Sequence, residues 1–204
     1  MVSRDFILWE VDVQVDFMLP GGNLYVRGAE KLLPNIRRLV DLARQGRVFL
    51  ASHGCFHTPD DPEFKIFSPH CVKGTAGAEL VPEALAEKVA RVPNEAEAKL
   101  PEDLFVYQQI LLEKQTVNIF ESRHADALLE RLGSKAEFIV FGVATEYCVS
   151  FAAKGLLERG RSVAVVRDAI EPLKPEDGEK TIAELERMGA RLITTDQAIR
   201  TISS

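Results

Sequence analysis

The feature that most constrains this chain is the alternation of short apolar, β-branched runs with segments that carry the 3.6-residue period of a helix. Phe6 to Val13, Arg47 to Ser52, Ala136 to Ala144, Ser162 to Ala169 and Arg191 to Thr195 read as buried strands. Ala29 to Gln45 places Leu32, Ile36, Leu39, Val40 and Ala43 on one stripe and stops at Gly46. Thr145 to Glu158 closes at Gly160 in the same way, and Pro175 to Met188 closes at Gly189. Strand, helix and strand joined by right-handed crossovers predict a parallel sheet covered on both faces, with ligands at the carboxyl ends of the strands. The stretch from Gly54 to Leu112 breaks the pattern. It holds six of the ten prolines and the His57 to His70 loop, and reads as a functional excursion rather than a second domain. The whole chain, 1–204, is therefore expected to be one domain, long enough to bury a core without disulfide or metal.

Charge narrows the partners. A formal net charge of −6 with no Lys/Arg run disfavours nucleic acid and anionic membrane surfaces. The N-terminal apolar run is interrupted by Glu10 and Asp12, too short and too charged for a signal peptide or membrane span, so a cytoplasmic protein is expected. Three cysteines without an export signal read as thiols for chemistry or packing.

Three segments carry chemistry. In VDVQVDF, Asp12 ends a predicted strand, where a cap or turn residue is the plain alternative. In GVATEYC, Cys148 falls in the first turn of a helix that follows a buried strand directly. There the helix dipole lowers a thiol pKa and backbone N–H groups face a developing oxyanion; the alternative is a small buried hydrophobe. In LLEKQTVNIF, Lys114 lies where a strand-like run passes toward a helix, and by itself is a solvated charge.

Together these residues resemble the cysteine hydrolase superfamily of nicotinamidases and isochorismatases, from about Phe6 to Asp196. The resemblance implies a three-layer α/β/α fold with a mostly parallel, doubly wound, Rossmann-like sheet. It implies Asp12 in D-x-Q-x-D-F as base, Lys114 before a short helix ending at Phe120, and Cys148 in G-V-x-T-x-x-C as nucleophile. It further implies a cis Val143–Ala144 bond, with the Ala144 and Cys148 amides as oxyanion hole. Cys148 would attack a small amide such as nicotinamide, Asp12 would pass the proton to departing ammonia, and water would release the acid from the thioester. No organic cofactor is required. Members commonly form dimers or larger assemblies, so a homo-oligomer is expected.

Nicotinamidases also hold a metal through an Asp-x-His pair and a later His. His57 and His70 match the histidines, but Cys55 stands where Asp is expected. Residues 55 and 57 project to one side of an extended segment, and a Cys-His-His set suits Zn²⁺. The competing reading is that the metal was lost with the Asp. Cys71 reads as structural or as a rival ligand, and His53 and His124 as surface residues. Phe17 reads as a stacking platform or as core, and Phe67 occupies a position where nicotinamidases often carry Trp. Glu10 is anomalous in a buried strand. An isochorismatase-like hydrolase of another substrate, or a silent binding module of the same fold, are the rival functions.

Overall fold

The computed structural model describes residues 3–204, with side chains from Asp5 onward; Met1 and Val2 of the N-terminal run lie outside the described residues. Seven strands form one sheet: β1 (Ser3–Val11), β2 (Val48–Cys55), β3 (Val89–Val92), β4 (Gln109–Lys114), β5 (Glu137–Val143), β6 (Ser162–Glu171) and β7 (Arg191–Ile193). Their spatial order is β3-β4-β2-β1-β5-β6-β7, and every pairing is parallel. Six α-helices accompany them: α1 (Val15–Met18), α2 (Leu33–Arg44), α3 (Ala125–Leu132), α4 (Ser150–Glu158), α5 (Pro175–Arg187) and α6 (Thr195–Ser203).

The period-2 alternation of the strands splits their side chains between two cores. Leu8, Leu50, Ile139, Phe141 and Val166 pack with Ile36, Leu39 and Val40 of α2 and Ala198 and Ile202 of α6. Ile7, Trp9, Phe49, Phe138 and Val165 pack on the other face with Leu128 of α3, Leu156 of α4 and Leu185 of α5. The doubly wound α/β expectation is met, and the sheet is wholly parallel. β1 lies between β2 and β5, so the chain leaves it to one side and later returns on the other, opening a crevice at its carboxyl end.

Gly142 keeps that crevice tight. Its φ of +121° suits glycine, and a Cβ there would collide with the Val11 carbonyl. Sequence and structure differ in detail elsewhere. The excursion contains β3 and most of β4, which carry the sheet two strands further. Ala29 to Gln45 divides into a 3₁₀ turn, Ala29–Leu32, and α2, with Pro34 in the first turn of the α-helix. Thr145 to Glu158 begins as a π-turn, Thr145–Val149, before α4. No helix among the described residues is long and apolar enough to cross a membrane.

Candidate active site

The segment after β1 is built around its polar side chains. Asp12 takes a φ of +51° and donates its amide to the His53 carbonyl at 3.0 Å, which turns its carboxylate into the crevice. Gln14, two residues on, accepts the Cys55 amide at 2.7 Å and donates to the Cys55 and Ala78 carbonyls at 2.6 Å each. Asp16 accepts the Cys71 amide at 2.7 Å and the Asn23 amide at 3.0 Å. Gly77 must lack a side chain, because a Cβ would overlap the Asp16 carboxylate. The D-x-Q-x-D pattern thus places one acid in the crevice while its other two members fasten the loops around it.

Lys114, at the end of β4, is 1% exposed and sits at the centre of the crevice. Its Nζ lies 2.9 Å from Asp12 Oδ2, 2.9 Å from Cys55 Sγ and 3.5 Å from Cys148 Sγ. Burial disfavours the ammonium, yet Asp12 and then the two sulfurs raise its pKa well above the usual lysine value. Cys148 lies in the π-turn, where Tyr147 leaves helical geometry (φ −113°, ψ −107°), and the Val143–Ala144 bond just before it is cis, as the resemblance implies.

The sequence expected a depressed thiol pKa at Cys148; the structure brings a second thiol, Cys55, to the same ammonium. Hydrogen bonding with Cys148 lowers Cys55 well below the usual thiol value, with Lys114 assisting against burial, while the same contact and burial raise Cys148. Two thiols facing one ammonium titrate as a pair.

Cys55, His57 and His70 are all buried, and their ligand atoms lie within 4.8 Å of one another. His57 Nδ1 is 3.0 Å from Asp61 Oδ2 and its Nε2 is 3.2 Å from Glu63 Oε2, but neither ring nitrogen nor that Glu63 oxygen makes a well-aligned hydrogen bond. Buried donor atoms without aligned partners are the chemistry that suits a cation. His70 spends Nδ1 on the Ser68 carbonyl at 2.8 Å, which orients its ring as a ligating histidine requires. Burial works against a charged His57, but Cys55 and Asp61 raise its pKa to about 9.

The pocket above these groups is lined by Phe17, Phe67, Leu24, Val26, Val117, Tyr147 and Leu173, with Asp12, Cys55, Glu63, His70, Ala144 and Cys148 around its inner surface. Phe17 and Phe67 both border His70, at ring separations of 5.2 and 6.3 Å. Glu146 accepts the Leu173 and Lys174 amides at 3.1 and 2.8 Å, tying that lip to the π-turn. Phe120, part of the Lys114 signature, is half-buried and packs on the core, stacking on Trp9 at 6.2 Å.

One expectation is corrected. His53 is not a surface residue: it is 1% exposed, packs edge-on to Trp9, and its Nδ1 meets Asp12 Oδ1 at 3.2 Å. Burial holds its pKa below the usual value, so the neutral ring donates from Nδ1 to Asp12. Glu63 and Asp61 were missed as neighbours of the histidines; their place in the turn after His57 was the available signal. Cys71 fits the structural reading, with its sulfur buried against the Gly77 carbonyl at 3.8 Å and burial pushing its thiol pKa up.

Comparison with known proteins agrees with this architecture. The chain is 28% identical over 209 residues to the nicotinamidase of Escherichia coli, covering 90% of this chain and 92% of the relative. It is 25% identical over 203 residues to a probable inactive nicotinamidase of Arabidopsis thaliana, covering 94% and 93%. The crystal structure of the pyrazinamidase of Pyrococcus horikoshii in complex with zinc superposes with a TM-score of 0.75 at 27% identity, covering 93% of this chain and 99% of that one. The isochorismatase domain model matches residues 7–92 and 85–197. A parallel α/β sheet whose switch point gathers Asp12, Lys114 and Cys148, matched along nearly its whole length, places this chain in the isochorismatase domain family of hydrolases.

Proposed function

We propose that the chain acts as one amidohydrolase domain that converts a small heteroaromatic carboxamide, nicotinamide or a close analogue, to the acid and ammonia. The observation that carries this reading is the convergence of Asp12 and Cys148 on the Lys114 ammonium at the inner end of an aromatic pocket. Asp12 takes the Cys148 proton, and Lys114 stabilises the resulting anion. The thiolate attacks the amide carbonyl, and the amides of Ala144 and Cys148 receive the developing oxyanion. Asp12 returns the proton to the departing nitrogen, then activates water against the thioester. His53 orients the Asp12 carboxylate from the side opposite Lys114.

Cys55, His57 and His70 would hold zinc, with Glu63 close enough to join them. Bound there, zinc supplies a Lewis-acid acceptor for a ring nitrogen of the substrate. A Cys55 thiolate drawn into ligation leaves Lys114 to Asp12 and Cys148. A neutral substrate is favoured because the lining contains neither Arg nor Lys among the described residues, so the two carboxylates of a substrate such as isochorismate would find no basic side chain along the pocket wall.

The test is ammonia release from nicotinamide, pyrazinamide and aliphatic amides by zinc-resupplied protein. Turnover of the heteroaromatic amides and none of isochorismate is expected; no ammonia from any amide would overturn the proposal.

A further inference from the structure

The catalytic crevice contains a second thiol that takes no part in the acyl-transfer steps. Cys55 Sγ approaches the Lys114 ammonium more closely than Cys148 does, at 2.9 Å against 3.5 Å, and lies 3.8 Å from Asp12 Oδ2. Both sulfurs therefore face one ammonium within hydrogen-bonding reach. The two come from different elements, Cys55 from the end of β2 and Cys148 from the irregular turn before α4. Both border the same pocket, so an oxidant little larger than water can reach them. Cys71 is absent from that lining, fully buried, and faces Gly77. Two thiols beside one ammonium, open to one pocket, are the chemical setting of a reactive dithiol.

We propose that Cys55 and Cys148 form a peroxide-reactive dithiol, a modification site in which the two sulfurs close as an intramolecular disulfide. The thiolate of the pair attacks one oxygen of hydrogen peroxide; the O–O bond breaks and hydroxide leaves, taking a proton to become water. The resulting sulfenic acid is attacked by the second sulfur, an S–S bond forms, the S–O bond breaks, and the oxygen departs as a second water. The two sulfurs are oxidised, the peroxide is reduced to two waters, and the protein loses two hydrogens. The closed form has neither a nucleophile nor a Cys55 ligand. A thiol reductant reopens it, whereas a solitary Cys148 would continue to the irreversible sulfinic acid.

The experiment treats the full chain, first dialysed against a chelator so that both thiols are unligated, with a small excess of hydrogen peroxide. Intact mass is measured, followed by peptide mapping without reduction, for the wild type, Cys71→Ala and Cys55→Ser. In the wild type and Cys71→Ala, the expected result is loss of two hydrogens, a Cys55–Cys148 linked peptide, and full return of both thiols with dithiothreitol. In Cys55→Ser, addition of oxygen at Cys148 that dithiothreitol does not remove is expected. Oxygen added to Cys148 of the wild type with Cys55 still open to alkylation would overturn the proposal, as would a link to Cys71 or between chains. The linkage is read by mass and not by turnover, so it is decided whichever substrate the pocket takes.

Discussion

At the scale of single residues, the site depends on Lys114, because one buried ammonium keeps an acid and two thiols within 3.5 Å of itself. Cys148→Ala removes only a small sulfur, so the melting temperature should stay close to wild type while amide hydrolysis falls by at least about 10³-fold. Normal turnover in that variant would end the mechanism. Iodoacetamide at neutral pH should label the Cys55–Cys148 pair before Cys71, and peptide mapping reads the order. Glu10 is a different kind of residue: fully buried on β1, with neither carboxylate oxygen hydrogen-bonded. Burial raises its pKa well above the usual value, against the pull of Arg44 and with Asp12 adding to the rise. The folded state therefore favours the protonated form. Its stabilising effect is complete below the unfolded pKa of about 4.3 and is lost as pH rises through the folded value. Glu10→Gln cannot ionise, so its stability relative to wild type should improve with pH across that window, by on the order of 1 kcal/mol or more. Denaturation midpoints that keep a constant gap from pH 4 to 8 would contradict this account.

At the scale of elements, Gln14 joins the base to the histidine arm. Its carboxamide spans the gap between the residues after β1, the end of β2 and the Ala78 carbonyl, so Asp12 and Cys55 keep a common register. Gln14→Ala strands a buried amide and two carbonyls. We expect a loss of about 1–3 kcal/mol in urea denaturation and a fall in kcat, since the base and nucleophile lose their alignment. The strands toward both ends of the sequence were legible because each is built on a short apolar, β-branched run, even where a charge such as Glu10 intrudes: β1, β2, β5, β6 and β7 all appear where periodicity put them. β3 and β4 were harder to see. β3 is four residues long with Arg91 in its middle, and β4 ends in Glu113 and Lys114, charges that ordinarily mark a strand's exit to solvent. Both are buried here because each has partners, Arg91 and Lys73 for Glu113, and Asp12 with the thiols for Lys114. His53 misled for the same reason: only the fold brings Asp12 across to it.

At the scale of the whole molecule, the zinc proposal gives a pH dependence with a definite sign. His57 holds its proton up to about 9 and must release it to ligate, so metal affinity should weaken steadily as pH falls below that value. Elemental analysis should find about one zinc per chain at pH 8 and less at pH 6, and Cys55→Asp should move the preference from zinc toward manganese. A zinc content unchanged by pH would remove His57 from the metal set, and a metal preference unchanged in Cys55→Asp would remove Cys55. The pocket's other wall obeys a different logic. Glu146 grips the Leu173 and Lys174 segment by backbone amides alone, leaving the Leu173 side chain free to face the cavity. Attachment and shape are therefore encoded by different atoms of the same residue. Leu173 is where the cavity can be recut for larger or smaller amides while the lip stays moored, and a library at this one position should change which substrates enter without loosening the turn that carries Cys148.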